Sequence, residues 1–253
     1  MSDVKIATRE SYGNALVELG AMNDKVVVLD ADLAAATKTS IFQKEFPERF
    51  FDCGIAEGNM MAVAAGIASM GMVPFASTFA MFAAGRAFEQ VRNSIGYPHM
   101  NVKIGATHGG ISVGEDGATH QCNEDVALMR EIPGMVVMVP ADDIEAKAAV
   151  KAAAEYYGPV YLRFGRAACG LVNDFPGYKF EIGKGTTLKE GKDVTIVATG
   201  VCVEQSLKAA KMLEDKLRAE FGELNIITVV ANPTVGSHCG PESVGVSFHA
   251  VHR

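Results

Sequence analysis

The chain has 253 residues, 49% of them hydrophobic and 21% charged, which excludes a disordered protein and leaves room for one large or two modest domains. A net charge of −7 with no basic run excludes nonspecific nucleic-acid binding. No apolar run reaches bilayer-spanning length and Met1–Lys5 lacks a signal-peptide core, so a cytoplasmic protein with no membrane contact is expected. Five cysteines (Cys53, Cys122, Cys169, Cys202 and Cys239) are widely spaced with no C-x-x-C pair, which reads as reduced and mostly structural thiols.

Residues 8–22 place Ala15, Leu16, Leu19 and Met22 at helical spacing, with Thr8 as the predicted N-cap. Lys25–Asp30 is a continuous Val/Leu run of the kind buried in parallel sheets. The alternation then repeats. Ser40–Phe46 predicts a helix, Phe50–Ile55 a strand, Asn59–Met70 a helix ended by Gly71, Val73–Ser77 a strand and Phe79–Ile95 a helix. Strands follow at Asn101–Thr107, Met135–Val139 and Val160–Phe164, with a helix over Asp142–Tyr157. The pattern predicts βαβ units and a mostly parallel sheet with helices on both faces. Residues 1–166 form this unit, and Gly, Pro and Asp make 167–190 a linker. A small second α/β segment, 191–253, has strands near Asp193–Ala198, Asn225–Ala231 and Val244–Phe248 and a helix from Val203 to Phe221.

Three stretches carry candidate chemistry. Glu57 stands between the strand at Phe50 and an almost wholly apolar helix. Two readings stay open there: an exposed first-turn acid favoured by the helix dipole, or a dry carboxyl group suited to proton transfer. The loop Thr107–Gln121 holds His108, Glu115, Asp116, His120 and four glycines directly after a strand, where α/β sheets collect ligands. It carries neither metal-ligand spacing, nor a Walker sequence, nor G-x-G-x-x-G, and it suits hydrogen bonding to a polyhydroxylated substrate. Phe79 and Phe82, three apart, are either core or a flat wall for a heteroaromatic ring, and Arg166 is a candidate anion clamp.

Taken in order, Ala31-Asp32-Leu33, Gly54-Ile55-Ala56-Glu57-x-Asn59-Met60, Thr78-Phe79-x-x-Phe82, Gly114-Glu115-Asp116-Gly117-x-Thr119-His120-Gln121 and Gly158-Pro159-Val160-Tyr161…Arg166 resemble the thiamine-diphosphate-dependent transketolases. The likeness is to the C-terminal half-subunits of enzymes split over two chains, and it covers residues 5 to about 210. It implies a pyrimidine-binding domain in which Glu57 bonds N1′ of the aminopyrimidine and favours the imino tautomer that deprotonates the thiazolium. Phe82, with Phe79 beside it, would stack on that ring. The resemblance further implies that His108 and His120 bind substrate oxygens, Asp116 the C2 hydroxyl and Arg166 the sugar phosphate, with Asp32 lining the channel. The implied reaction moves a two-carbon ketol unit between sugar phosphates.

Three departures bear on the expectation. Gly58 replaces a larger residue, Ala36 replaces a phosphate-contacting Ser, and the Gly-Asp-Gly…Asn element that holds the diphosphate and Mg²⁺ does not occur. The resemblance therefore implies half an active site, with no metal ligand of its own, completed by an N-terminal partner subunit in a mixed dimer or tetramer or a homo-oligomer. Nearby alternatives are a deoxyxylulose-phosphate synthase and a 2-oxo-acid dehydrogenase β-subunit. From about residue 210 to 253 the tail resembles the end of DegV fatty-acid-binding proteins, with His238 as a loop residue. That likeness brings in a further alternative, a catalytically silent lipid-binding or scaffolding chimera.

Overall fold

In a computed structural model the described residues are 4–191, 194–221, 227–230 and 245–248. Twelve strands and eight α-helices are described: β1 Lys5–Ala7, α1 Thr8–Met22, β2 Val26–Asp30, α2 Ala34–Thr37, α3 Ser40–Glu45, β3 Phe50–Asp52, α4 Glu57–Ser69 and β4 Val73–Phe79. There follow α5 Phe88–Gln90, β5 Lys103–Thr107, α6 Asp125–Arg130, β6 Val136–Met138, α7 Asp143–Glu155, β7 Val160–Arg163 and β8 Ala168–Gly170. Last come β9 Thr186–Lys189, β10 Val194–Ala198, α8 Cys202–Phe221, β11 Ile227–Val230 and β12 Gly245–Phe248.

Six strands form one sheet in the order β3-β2-β4-β5-β7-β6, and every pairing in it is parallel. Side chains alternate across it, because successive strand residues point to opposite faces. Val27 and Leu29 join Met60, Met61, Ala64 and Ile104 on one face. Val26 and Val28 join Leu16, Phe42, Phe75 and Leu162 on the other. Helices α4 and α6 cover the first face, and α1, α3 and α7 the second. This is the expected α/β class, a mostly parallel sheet with helices on both faces. A second sheet, ordered β12-β10-β11-β9, follows it.

Several elements differ from their sequence expectation. Thr8 does not cap α1: Ala7 is the N-cap, and the Thr8 hydroxyl instead accepts from the Gly165 amide at 2.8 Å. Strand β3 is an edge strand, so Phe50 is buried while Phe51 is 47% exposed. The predicted helix over 79–95 does not begin at Phe79, because β4 runs on through that residue to pair with Thr107. Beyond it lie two π-helical segments, Phe82–Arg86 and Val91–Gly96, on either side of α5. Ala87 N bonding Phe82 O marks the wider turn.

The stretch 167–190 also holds structure. β8 pairs antiparallel with β1 in register Ile6↔Cys169, and β9 belongs to the second sheet. Asp142 explains how the intervening segment is held. Its carboxylate accepts from the amides of Glu145, Val172 and Asn173 and from Asn173 Nδ2, capping α7 and pinning residues 172–173 at once. His238 and Cys239 lie outside the described residues.

Candidate active site

All six strands of the large sheet are parallel, so their carboxyl ends share one edge. The chain leaves central β2 for β3 on one side and returns to β4 on the other, and that reversal opens a crevice above β2 and β4. A cavity of about 380 Å³ lies there, lined by Ala31, Asp32, Leu33, Ile55, Glu57, Phe82, Arg86, Thr119 and His120. These come from the ends of β2, β3 and β4 and from the loop after β5.

Each wall has a local cause. Asp30, closed to solvent at the end of β2, accepts from Leu33 N and from the hydroxyls of Thr37 and Thr39. Desolvation raises its pKa to about 6 against those hydrogen bonds. This turn holds Asp32 at φ +62, a left-handed conformation that Asp tolerates better than most residues. Glu57 opens α4 and is 1% exposed, so it is not an exposed first-turn acid. Its charged partner is Arg86, whose Nη1 donates to Oε1 at 3.1 Å and Oε2 at 3.2 Å.

Phe79, buried, and Phe82, half-buried, lie nearly parallel, 12° apart with centroids 5.7 Å apart. They are not two residues on one helical face, since Phe79 ends a strand. His120 sets its edge against Phe82 at 5.2 Å. His108 stacks on Phe79 at 3.8 Å. Glu57, Phe82 and His120 thus face the cavity, with Phe79 stacked on Phe82 and His108 on Phe79.

His108 is almost wholly buried and also left-handed, at φ +59. Its Nε2 lies 3.1 Å from Arg9 Nη1, and its Nδ1 lies 2.9 Å from Thr107 Oγ1. A guanidinium has no acceptor, so Nε2 accepts from Arg9 and Nδ1 carries the proton. Desolvation, and then the charges of Arg9 and Arg166, push the His108 pKa down to about 3. It is a neutral ring.

Arg9 also donates to the Ala36 carbonyl at 3.0 Å. Burial and then the nearby Arg166 charge lower the Arg9 pKa. Arg166 pairs with the exposed Glu115 at 2.6 Å. Asp116 is exposed on its loop and does not line the cavity.

The structure therefore brings together Glu57, Phe79, Phe82, His108, His120 and Asp32, with Arg166 beyond His108. Arg9 and Arg86 are the residues that sequence reasoning missed. Arg9 follows a helix start and Arg86 follows two alanines and a glycine. Neither position has a local pattern that marks it, because both reach the site from distant elements.

A buried pair fixes the loop. Arg163 donates Nε to Asp125 Oδ2 at 2.8 Å and Nη2 to the Cys122 carbonyl at 3.2 Å. Its side chain packs against Gly109, where a Cβ would meet Nε at 2.5 Å. One guanidinium thus holds both ends of the 109–122 loop, which is closed by the Gly110–Cys122 bridge.

Against known families, residues 4–170 match the transketolase pyrimidine binding domain and residues 183–236 the transketolase C-terminal domain. The chain belongs to the transketolase family. A transketolase subunit acting on 6-deoxy-6-sulfo-D-fructose, from a Clostridium species, is 41% identical over 87% of this chain and 68% of its own length. A protein of Methanocaldococcus jannaschii assigned as a transketolase C-terminal section is 50% identical over 90% of this chain and 72% of its own. A solved split-gene transketolase, described as an inactive β4 tetramer, superposes with TM-score 0.78 at 57% identity, covering 89% of this chain and 70% of that one. The chain corresponds to the C-terminal part of a split transketolase. It spans only 35% of the solved transketolase chain of Leishmania mexicana. The C-terminal domain match runs to residue 236, well into the tail likened above to DegV proteins, and none of these findings supports the DegV likeness.

Proposed function

We propose that this chain is the pyrimidine-binding half of a thiamine-diphosphate-dependent transketolase that moves a two-carbon ketol unit between sugar phosphates. The observation that carries the reading is a dry carboxyl group, Glu57, sharing a cavity with the face of Phe82 and the edge of His120. An acid at one end of a flat aromatic wall suits an aminopyrimidine, so the residues fit the cofactor. When bound, thiamine diphosphate supplies a nucleophilic carbon and an electron sink for cleaving and remaking the ketose carbon–carbon bond.

The chain's own residues do the rest. Glu57 holds the proton at the pyrimidine N1′ position, in a site with little water. Phe82, backed by Phe79, orients the ring by offset stacking. His108, a neutral ring, and His120 contact substrate oxygens, and Asp32 lines the channel. Arg9 and Arg166 take the terminal anion, because two guanidinium charges close to His108 suit a tetrahedral oxyanion. That cationic end favours sugar phosphates over the deoxyxylulose-phosphate synthase and 2-oxo-acid alternatives. It also accommodates the sulfonate that the Clostridium relative's name implies.

The diphosphate and Mg²⁺ sites belong, in this reading, to an N-terminal partner subunit in the cytoplasm. An exposed apolar surface on and beside α4 supports a partner there: Ile55 is 75%, Val63 38% and Met70 82% exposed. We divide the chain into a pyrimidine-binding domain at 1–166, a connecting segment at 167–190 and a C-terminal domain at 191–253. The second reading, a silent lipid-binding or scaffolding chimera, rests on the DegV-like tail alone. A ketol-transfer assay with an N-terminal partner, thiamine diphosphate and Mg²⁺ tests the proposal. Turnover in the mixture that Glu57→Gln abolishes supports it. No turnover with any tested sugar phosphate, or a retained acyl chain in native mass spectrometry, counts against it.

A further inference from the structure

Arg86 makes two contacts that a pyrimidine ring in this cavity would also need. Its Nη1 bonds both oxygens of Glu57. Its guanidinium carbon lies 4.7 Å from the centroid of the Phe82 ring. A guanidinium is flat, donates N–H bonds and stacks on aromatic faces, so it resembles a planar nitrogen heterocycle in shape and in bonding. One carboxylate and one exposed ring face cannot serve both at once.

We propose that Arg86 is a displaceable internal occupant of the pyrimidine site, a positioning residue that must leave Phe82 and release Glu57 before the heterocycle binds. The inference rests on the functional reading above and adds to it a competition within the chain. Three observations support the motion. The Arg86 side chain is 53% exposed, so it has solvent to move into. It ends the segment Phe82–Arg86, four positions on from the ring, a spacing that puts arginine and ring on the same side of a helix. Beside it Gly85, where a Cβ would press on Met81 Cε, leaves the adjacent surface without a side chain.

While Arg86 is in place it has a second role. Glu57 is 1% exposed, and a buried carboxylate without a cation is costly. Arg86 therefore keeps the acid paired until the ligand arrives, and the ligand then takes over the hydrogen bond. The exchange replaces an arginine N–H bonded to the carboxylate with a proton shared between the Glu57 carboxyl group and a ring nitrogen.

The test uses the full chain and 4-amino-5-hydroxymethyl-2-methylpyrimidine as the probe, with binding read by NMR titration. Arg86→Met should bind the probe roughly tenfold more tightly than wild type, the factor expected when an internal arrangement holds about nine-tenths of the molecules in a non-binding form. Arg86→Lys, which keeps the charge and loses the flat group, should fall between them. In the wild type, the Arg86 Nε–H resonance should move towards its solvent-exposed position as the probe is added. Should Arg86→Met not fold, Arg86→Lys and the wild-type resonance decide. Wild-type binding with an unmoved Arg86 resonance, or with equal or weaker binding in the variants, overturns the competition and leaves the pyrimidine reading standing. No probe binding to any of the proteins overturns both.

Discussion

Arg163 Nε lies 2.8 Å from Asp125 Oδ2, and neither side chain is more than 5% exposed. Tyr161 donates to the same oxygen at 2.9 Å, so one carboxylate joins β7 to the start of α6. Breaking such a pair from one side leaves a charge stranded in the interior. Arg163→Met should lower unfolding free energy by about 3–5 kcal/mol in urea denaturation. The double change Arg163→Met with Asp125→Leu should cost less than the two single changes summed. Gly109→Ala should act through the same contact, because its new methyl would push Nε off Asp125 and loosen the loop.

The neutrality of His108 has a pH signature. Its folded pKa is about 3, below the ordinary 6.5, so between those values the unfolded chain binds the extra proton. Stability from this group is therefore complete above pH 6.5 and is lost as pH falls towards 3. Asp30 opposes it, since its raised pKa near 6 lets the folded state hold a proton between about 4 and 6. Comparison with His108→Asn cancels Asp30 from the difference. From pH 6.5 to 5 the wild type should lose roughly 1.5 kcal/mol more than the variant. Imidazole ¹⁵N spectra should show the Nδ1–H form throughout, and Arg9→Met should raise the His108 pKa.

Arg9 touches both His108 and the Ala36 carbonyl, and the proposed function gives it the substrate's anion. In a ketol-transfer assay with the partner subunit, Arg9→Ala should raise KM for phosphorylated sugars roughly ten- to hundredfold, the size of a lost charge-assisted hydrogen bond. KM for an unphosphorylated sugar such as erythrulose should change little. Equal losses for both substrate types would mean that Arg9 acts only by holding His108.

Asp142 satisfies four donors at distances from 2.8 to 3.1 Å. Asp142→Ala would leave several of them buried and unpaired, so denaturant unfolding should show a loss of at least about 3 kcal/mol. Limited proteolysis should then cut near residues 171–178 faster than in the wild type, where Asp142 holds the Val172 and Asn173 amides.

Periodicity was enough to read the large sheet, because parallel strands buried on both faces are continuous apolar runs such as Val26–Asp30, and the helices between them carry their own spacing. Strand β1 and its partner β8 were not legible: three-residue strands have no period, and what pairs Ile6 with Cys169 is a contact across most of the chain. The π-helical turn escaped for a related reason, since Phe82-Ala83-Ala84-Gly85-Arg86 is good helix sequence whichever hydrogen bonds it makes. At the site, Glu57 stood out as one acid ahead of an apolar helix. Arg86 did not, because what matters about it is the partner it reaches 29 residues away.

The wide turn at Phe82–Arg86 has a consequence for insertions and deletions. A π turn accommodates one residue more than an α turn does. Removing Ala83 or Ala84 would take out the one residue the wide turn absorbs, and the segment would rewind as ordinary helix with the elements after it still in phase. Arg86 would then stand three positions after Phe82, still its neighbour on the helix surface. A one-residue deletion here should therefore be tolerated, whereas the same deletion inside α4 would turn its buried face outward.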